Sequence, residues 1–269
     1  MVLLVRHGLT ALTGPVLAGW TPGVHLDDRG RAQVTALAAR LRDLPLTAVV
    51  ASPLERCRET AEVILQGRNG VPTHVDERFG EVRYGDWTGE KLETLAKDPL
   101  WSVVQAHPSA VRFPGAEGES LAGAQHRAVS AIRDWNARLG DEAVYLVCSH
   151  GDIIKAILAD ALGLHLDQFQ RIQAAPASLS AIRYTGLRPF VVRVNDVGGG
   201  TDGLLPPPPD SRGGDQKDGE KDDGDGDQDG DQDGDQGGRP DGAGERAGGP
   251  PERGGPFGGD GDAPVGGGA

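Results

Sequence analysis

The stretch Met1-Val2-Leu3-Leu4-Val5-Arg6-His7-Gly8 opens this 269-residue chain and decides how it is organised. Its first five residues form an apolar run that predicts a short buried strand. The run stops on an arginine, a histidine and a glycine. In an open α/β sheet, ligands bind at the carboxyl ends of the strands, where the loops diverge and leave a crevice. Arg6 and His7 are therefore predicted to line such a crevice.

The pair Arg6-His7 has the chemistry that a phosphoryl group requires. A guanidinium holds an anion with two parallel donors, and a neutral imidazole nitrogen can attack phosphorus. Gly8 is predicted to let the backbone come close to the bound group. Because Arg-His-Gly is a short motif, the rest of the chain has to supply the remaining groups of the site.

Two later strands are also predicted to end on polar residues. Residues 46–51 lead into Ser52 and a helix over 53–66, on which Ser52, Arg56 and Thr60 share one face. Residues 143–148 lead into Ser149-His150-Gly151 and a helix over 152–162. This alternation predicts an α/β fold of three layers, α/β/α, with a mostly parallel central sheet.

The middle of the chain is predicted to be a helical insertion over the active site. It contains a short strand at 73–75, an irregular stretch over 79–88 and helices over 90–101 and 120–139. The other predicted elements are a loop over 9–25, a helix from Asp27 or Asp28 to residue 44, and a closing hairpin of residues 178–184 and 189–194.

The charge distribution divides the chain near residue 200. Residues 201–269 carry 18 of the 40 acidic and six of the 27 basic side chains. In the last sixty residues, only Phe257 and Val265 are apolar side chains larger than alanine, proline aside. Such a segment cannot bury enough surface to offset the entropy of ordering it. Residues 1–197 are therefore predicted to be one folded domain, and residues 198–269 a disordered acidic tail rich in Gly, Asp and Pro.

Composition also excludes several classes of protein. The balanced charge of residues 1–200 argues against a nucleic-acid partner, and no apolar run is long enough to span a membrane. The two cysteines, Cys57 and Cys148, are too few for a disulfide framework or a structural zinc site. A run in the tail resembles the start of an EF-hand calcium loop, but its twelfth position is Gln236, which cannot supply the bidentate carboxylate ligand. A cytoplasmic protein without a bound metal or cofactor is expected, while the oligomeric state is left open.

Four motifs in order resemble the histidine phosphatase superfamily, also called phosphoglycerate mutase-like. They are Leu-x-x-Arg-His-Gly at residues 3–8, Ser-Pro-Leu-x-Arg-x-x-x-Thr at 52–60, Glu-x-x-x-Gly-x-Trp-x-Gly at 81–89 and Ser-His-Gly at 149–151. The resemblance covers residues 1–195. Within the family, the chain is similar to a group of actinobacterial proteins described as phosphatases or phosphomutases.

The resemblance implies a role for each matching residue. His7 is expected to be the nucleophile that becomes phosphorylated. Arg6 and Arg56 are expected to hold the phosphoryl oxygens, with His150 as a further donor, so that no metal is needed. Fixed cationic donors stabilise the charge that phosphoryl transfer spreads over these oxygens.

Other positions complete the expected site or depart from the family. Glu81 is expected to protonate the departing oxygen and later to help activate water, with Glu77 and Asp86 as nearby competitors. The backbone amide of Gly151, which opens a helix, can donate to the phosphoryl group. Where the family often has an asparagine, this chain has Thr13, whose shorter side chain is expected to bind phosphate. A glutamate that often follows Arg-His-Gly is also replaced, by a leucine.

The favoured interpretation is a phosphatase that hydrolyses a small-molecule phosphomonoester through a phosphohistidine. Two alternatives stay open: a phosphomutase of the phosphoglycerate mutase type, and a non-catalytic phosphate-binding scaffold. The modest size of the insertion favours hydrolysis, because a mutase must exclude water from its site.

Overall fold

A computed structural model describes residues 1–199 of the chain. The predicted acidic tail therefore lies outside the described residues from position 200 onward. Six strands form one sheet in the order β3-β2-β4-β1-β5-β6. Their bounds are β1 Val2–Arg6, β2 Ala48–Ala51, β3 Thr73–Val75, β4 Tyr145–Ser149, β5 Leu179–Arg183 and β6 Phe190–Asp196.

The sheet is mostly parallel, as predicted. Strands β3, β2, β4 and β1 run in the same direction, and β5 and β6 add an antiparallel hairpin at one side. The register pairs Arg6 at the end of β1 with Ser149 at the end of β4. Because β1 and β4 are neighbours, the polar residues that follow them emerge at the same edge of the sheet.

Helices cover both faces of the sheet. Their bounds are α1 Asp28–Leu41, α2 Glu55–Leu65, α3 Leu92–Leu95, α4 Pro99–Ala106, α5 Leu121–Leu139 and α6 Gly151–Leu162. Leu3 and Val5 of β1 pack in a core with α1 and α2, whereas Val2 and Leu4 pack in a second core with α5, α6 and the insertion. This alternation follows from the two-residue period of a strand. The three-layer α/β/α prediction is confirmed.

Two helix predictions need correction. The single helix predicted over residues 90–101 is two helices, because Pro99 lacks the N–H that would continue the first and disfavours helical backbone at Asp98. Asp98 instead caps α4, its side chain accepting a hydrogen bond from the Leu100 amide. Helix α1 ends at Leu41, three residues before the predicted end.

The start of the insertion is irregular, as predicted. Two short 3₁₀ turns, Glu77–Phe79 and Gly85–Trp87, flank an extended run that contains Glu81. Among residues 1–199, no helix is both long and apolar enough to cross a membrane.

Candidate active site

Three strand ends lie side by side, and the residues at the end of β1 line a cleft, whereas Ser52 and His150 are fully buried and are not among the residues that line it. His7 follows β1, Ser52 follows β2 and His150 follows β4, and these strands are neighbours in the order β2-β4-β1. The ring centroids of His7 and His150 lie 5.3 Å apart. The strand-end cleft, as we name it, is lined by Arg6, His7, Thr10, Leu12, Thr13, Val16, Leu17, Ala18, Gly19, Arg56, Glu81 and Tyr84.

The hydrogen bonds of His7 fix which ring nitrogen carries the proton. Nδ1 lies 2.8 Å from the Gly8 carbonyl oxygen, which can only accept, so Nδ1 donates. Nε2 accepts from the Arg56 Nε–H at 3.3 Å. Burial, and then the charges of Arg56 and Arg6, hold the pKa of His7 well below its usual value. His7 is therefore neutral, with the lone pair of Nε2 directed towards Arg56.

Arg56 is buried and joins the two histidines. Its Nη2 donates to the Gly19 carbonyl at 2.8 Å and contacts His150 Nδ1 at 3.3 Å. Nη1 is also buried, and no hydrogen-bond acceptor within residues 1–199 satisfies it. An unsatisfied buried donor is costly unless a ligand supplies the acceptor. Helix α2 thus brings a cationic N–H group to the cleft that an anion would satisfy.

Arg6 supplies the second buried guanidinium. Its Nη1 donates to the Ala174 carbonyl oxygen at 2.7 Å, which anchors the side chain at the end of β1. Burial lowers its pKa, while Glu81 and Asp152 oppose that effect. A Cβ added at Gly151 would lie 3.5 Å from Arg6 Cζ, so the first turn of α6 lies close to this guanidinium.

His150 is held between a hydroxyl and a guanidinium. Its Nε2 lies 2.7 Å from Ser52 Oγ, and its Nδ1 faces Arg56. Since Arg56 can only donate, Nδ1 accepts and Nε2 donates to Ser52. Burial and the charge of Arg56 keep the pKa of His150 well below its usual value. Ser52 Oγ also accepts from the Leu54 amide at 3.3 Å, so one hydroxyl holds both the start of the turn before α2 and the ring of His150.

Glu81 is the carboxyl that reaches the strand-end cleft. It is 5% exposed, and its Oε1 accepts from the Val82 amide at 2.9 Å. Burial and the charge of Asp152 raise the pKa of Glu81 to about 7. The predicted competitors Glu77 and Asp86 are exposed and do not line the cleft. A carboxyl that titrates near neutral pH is suited to both giving and taking a proton.

Thr13 lines the strand-end cleft but is already hydrogen-bonded within its loop. Its Oγ1 accepts from the Thr10 amide at 3.1 Å and lies 3.0 Å from Thr10 Oγ1. Thr10, which the sequence did not single out, is the more buried of the two. Arg58 is exposed and does not line the cleft, in agreement with its position two residues beyond Arg56 on the helix.

Gly8 has a packing role that the sequence did not predict. A Cβ at Gly8 would lie 2.6 Å from the Gly30 carbonyl oxygen and 2.9 Å from Val34 Cγ2, both in α1. In turn, a Cβ at Gly30 would lie 2.1 Å from the Leu9 carbonyl oxygen. The two glycines let the loop after β1 touch α1, and this contact holds the backbone beside His7.

Several contacts of the site could not be read from sequence. The carbonyls of Gly19 and Ala174 anchor the arginines, and backbone acceptors carry no signal in residue type. Tyr84 lines the cleft, and its hydroxyl donates to Asp152 at 2.7 Å. The only sequence signal that could have pointed to Tyr84 was its position three residues after Glu81. Among residues 1–199, no group of three or more His, Cys, Asp or Glu side chains could hold a metal ion.

The family follows from a match that spans the described domain. Residues 2–197 match the histidine phosphatase superfamily, branch 1. This chain belongs to that superfamily. Its members among the relatives include phosphatases and phosphoglycerate mutases, so the prediction of a phosphatase- or mutase-type enzyme is confirmed.

Three curated histidine phosphatase relatives cover most of residues 1–199. Adenosylcobalamin/alpha-ribazole phosphatase of Salmonella typhimurium is 40% identical over 180 residues, 66% of this chain and 88% of that protein. Glucosyl-3-phosphoglycerate phosphatase of Mycolicibacterium vanbaalenii is 32% identical over 176 residues, 62% and 76% of the two chains. A probable phosphoglycerate mutase, GpmB of Erwinia tasmaniensis, is 30% identical over 184 residues, 67% and 83%.

Solved structures of histidine phosphatases agree with the fold. Bacillus stearothermophilus YhfR is 28% identical and superposes with a TM-score of 0.65, covering 73% of this chain and 97% of its own. Mycobacterial glucosyl-3-phosphoglycerate phosphatase Rv2419c is 22% identical with a TM-score of 0.64, covering 72% and 98%, and supports the fold alone. The Mycolicibacterium relative agrees with the expected similarity to actinobacterial proteins.

Proposed function

We propose that this histidine phosphatase hydrolyses the phosphomonoester of a small molecule through a phosphohistidine on His7. The observation that carries the proposal is the state of His7 Nε2. This nitrogen is unprotonated, lies in a buried cleft, and is 3.3 Å from the guanidinium of Arg56. A neutral imidazole beside fixed cations is the arrangement that nucleophilic attack on a phosphate ester needs.

In the first step, the lone pair of His7 Nε2 attacks phosphorus and the ester P–O bond breaks. Arg6 and Arg56 stabilise the charge on the equatorial oxygens, and the free Nη1 donor of Arg56 supports this role. Glu81 gives its proton to the departing oxygen, so the alcohol leaves neutral. His7 then carries the phosphoryl group and keeps its proton on Nδ1.

In the second step, water attacks the phosphorus of phosphohistidine on the side that the alcohol has left. The Glu81 carboxylate accepts a proton from this water, the N–P bond breaks, and its electron pair returns to His7 Nε2. Inorganic phosphate then leaves, with His7 neutral again and Glu81 protonated again. Glu81 acts as acid and then as base, which its pKa of about 7 permits.

His150 and the backbone amide of Gly151 are proposed as further donors to the phosphoryl oxygens. Helix α6 begins at Gly151 and has 12 residues, so its amino end, which lies near Arg6, carries a partial positive charge. For His150 to donate through Nδ1, the ring has to gain a proton while Nε2 still bonds to Ser52. A bound phosphoryl dianion supplies the charge that favours this proton. Thr13 is proposed to bind phosphate only by giving up its bond to Thr10.

The lining of the strand-end cleft favours hydrolysis over a phosphoglycerate-type mutase. Apart from the phosphate-binding residues, Glu81 and Tyr84, its walls are leucine, valine, alanine, glycine and threonine side chains. None of these walls offers a cation for a second anionic group such as a carboxylate. We therefore propose that the alcohol part of the substrate is uncharged close to the phosphate.

The relatives agree with the scale of this substrate. Their names specify small molecules, such as adenosylcobalamin and alpha-ribazole in the name of the relative that is 40% identical. The cytoplasm is proposed as the compartment, because Cys57 and Cys148 are both buried, unpaired thiols.

The test is to trap the covalent intermediate and to measure its fate. Full-length protein is mixed briefly with 4-nitrophenyl phosphate, quenched in alkali, in which phosphohistidine survives, and mapped by mass spectrometry. Phosphate on His7 together with release of inorganic phosphate is expected, and His7→Ala should lose both. Turnover by His7→Ala at the wild-type rate overturns the mechanism. Absence of turnover on a broad panel of phosphomonoesters would favour the scaffold alternative, and transfer to an added alcohol without free phosphate would favour the mutase.

A further inference from the structure

The main chain that carries Glu81 lies outside the sheet, and side chains hold it in place. Its residues 78–81 are four successive positions whose carbonyl oxygens all accept hydrogen bonds from side chains. Arg127 of α5 supplies three of these bonds, and Ser149 at the end of β4 supplies the fourth. A buried carbonyl that has no strand beside it needs such a partner. The position of Glu81 therefore depends on side chains that come from two other elements.

Arg127 uses all five of its N–H groups. Nη1 donates to the carbonyls of Arg78 at 2.7 Å and Gly80 at 2.9 Å, and Nη2 donates to that of Glu81 at 2.9 Å. The two remaining donors bind one carboxylate, Nη2 to Glu119 Oε1 at 2.6 Å and Nε to Glu119 Oε2 at 3.1 Å. A guanidinium holds its five donors in a rigid planar fork. The fork therefore fixes where the three carbonyls lie.

Glu119 anchors the guanidinium from the other side. Its Oε1 also accepts from the Arg83 amide at 2.8 Å, and its own amide donates to the Arg83 carbonyl at 2.9 Å. The side chains of Arg127 and Glu119 are 21% and 19% exposed, so solvent screens this ion pair only in part. Together they join the residues on both sides of Glu81 into one network.

A second donor reaches the Glu81 carbonyl from the loop after β1. Trp20 Nε1 donates to it at 2.6 Å, and the centre of the Trp20 ring lies 4.0 Å from Arg83 Cζ. Gly80 permits this approach, because a Cβ there would lie 2.3 Å from Trp20 Cζ2. The Glu81 carbonyl thus accepts one hydrogen bond from the loop that lines the strand-end cleft and one from α5.

The direction of the Glu81 carboxyl follows from this main chain. Its Oε1 accepts from the amide of Val82, the next residue, so the side chain is tied to its own backbone. The side chain is buried and lines the strand-end cleft. A proton donor acts only within hydrogen-bond reach of the oxygen that it protonates. A small displacement of residues 78–81 would therefore take the carboxyl out of reach.

We propose that Arg127 is a positioning residue for the reaction, whose five hydrogen bonds hold the main chain of residues 78–81 so that the Glu81 carboxyl faces the departing ester oxygen. Glu119 orients the guanidinium, and Trp20 supports the same carbonyl. This inference rests on the proposed role of Glu81 as the proton donor. Arg127 does not line the strand-end cleft, so it acts through Glu81 and not on the substrate.

The test compares two substrates in Arg127→Lys, which keeps the positive charge but cannot make the five hydrogen bonds. The leaving oxygen of phenyl phosphate needs a proton, whereas that of 4-nitrophenyl phosphate needs it far less. We expect kcat/KM to fall by at least about tenfold more for phenyl phosphate, a share of the roughly hundredfold that general acid catalysis supplies. A purely structural role would slow both substrates equally.

Arg133→Lys is the matched control. Arg133 lies on the same helix and pairs with Asp160 at its surface. Its kcat/KM should equal that of the wild type for both substrates.

A double-mutant cycle shows whether the effect passes through Glu81. In the Glu81→Gln background, Arg127→Lys should cause no further selective loss on phenyl phosphate, because the acid is already absent. If Arg127→Lys does not fold, Glu119→Gln takes its place in the test. That variant keeps the guanidinium but removes the charge that orients it, and a smaller loss with the same selectivity is expected.

The outcomes separate this inference from the proposed function. Equal slowing of phenyl phosphate and 4-nitrophenyl phosphate by Glu81→Gln would remove Glu81 as the proton donor. The role of Arg127 is overturned, while that of Glu81 stands, if Glu81→Gln is selective but Arg127→Lys and Glu119→Gln affect both substrates equally. A selective loss that persists in the Glu81→Gln background would also overturn it.

Discussion

Nε of Arg56 lies 3.3 Å from Nε2 of His7, and the guanidinium is the donor in this hydrogen bond. The residue proposed to hold the phosphoryl group therefore also keeps the nucleophilic nitrogen free of a proton. In the proposed mechanism, an arriving phosphoryl group binds the guanidinium and leaves the lone pair of His7 facing phosphorus. One side chain thus prepares both the anion site and the nucleophile.

Arg56→Lys should test this double role. Lysine keeps the charge but cannot reach His7, Gly19 and His150 with separate N–H groups. We expect kcat/KM for 4-nitrophenyl phosphate to fall by roughly a hundredfold, since positioned charge stabilisation is worth that much or more. Arg58→Lys, on the exposed side of the same helix, is the control and should have the kcat/KM of the wild type. Equal activity of the two variants would contradict the role of Arg56.

Ser52→Ala should loosen His150. The hydroxyl is the 2.7 Å partner of His150 Nε2, and its removal leaves the ring held by Arg56 and by the contact with Cys57. We expect kcat to fall by about tenfold, as one hydrogen bond of about 1–1.5 kcal/mol would permit. The control is Ser102→Ala, an exposed serine whose Oγ donates to the Pro99 carbonyl. Steady-state kinetics that show no loss in Ser52→Ala would limit the role of Ser52 to its hydrogen bond with the Leu54 amide.

The two buried histidines should make the fold sensitive to acid. Both are neutral in the fold with pKa values well below the usual 6.5, while the unfolded chain takes up protons below that pH. Stability is therefore complete above pH 6.5 and falls below it, by up to ~1.4 kcal/mol per pH unit for each histidine.

Urea unfolding between pH 7 and pH 5 measures this slope. His150→Gln should show a shallower slope than wild type, whereas His126→Gln, at an exposed position in α5, should keep it. A wild-type slope in His150→Gln would mean that other groups cause the acid sensitivity.

Gly30→Ala should damage both stability and activity. The added methyl would lie 2.1 Å from the Leu9 carbonyl oxygen, so the loop after His7 has to move. Overpacking of this kind costs about 1–3 kcal/mol. We expect a lower Tm, and we expect kcat to fall by a larger factor than the factor by which KM changes. Gly186→Ala, where nothing lies within 4 Å of the added methyl, is the control and should match wild type.

Removal of residues 200–269 should leave turnover and Tm unchanged at physiological salt. The segment from residue 201 onward has 18 acidic and six basic side chains, so it should repel an anionic phosphate ester rather than help to bind it. Screening beyond about 8 Å should make even this repulsion weak. The measurement compares Tm and kcat/KM between the full-length and the shortened protein. A large loss on shortening would show that the tail contributes to the catalytic domain.

The sequence predicted the layers of the fold because strand and helix periods are local signals. Residues 1–5, 46–51 and 143–148 stand out as apolar runs that end on polar residues, and each is a strand of the sheet. The division of residues 90–101 was missed because the helical period continued across Pro99. Helix propensity cannot compete there with the missing N–H of proline.

Only those residues of the site whose side-chain type suits phosphate chemistry could be predicted from the sequence. Arg6, His7, Arg56, Glu81 and His150 have residue types that fit a phosphoryl site, and the structure brings them together. The part played by Gly8 was not predictable, because it depends on a helix 22 residues further along the chain. The burial of Asp152 and Lys155 was also not predictable, because in the sequence they are ordinary polar positions of a helix.

The position of β1 has a consequence for the synthesis of the protein. This strand lies between β4 and β5, whose residues begin at Tyr145 and Leu179. At roughly 5–20 residues per second, the ribosome makes these partners some ten to thirty seconds after β1. During that time the buried strand that ends on Arg6 and His7 has no neighbours with which to pair. The strand can therefore enter the sheet only after β4 and β5 have been made, and His7 reaches its place beside His150 late in folding.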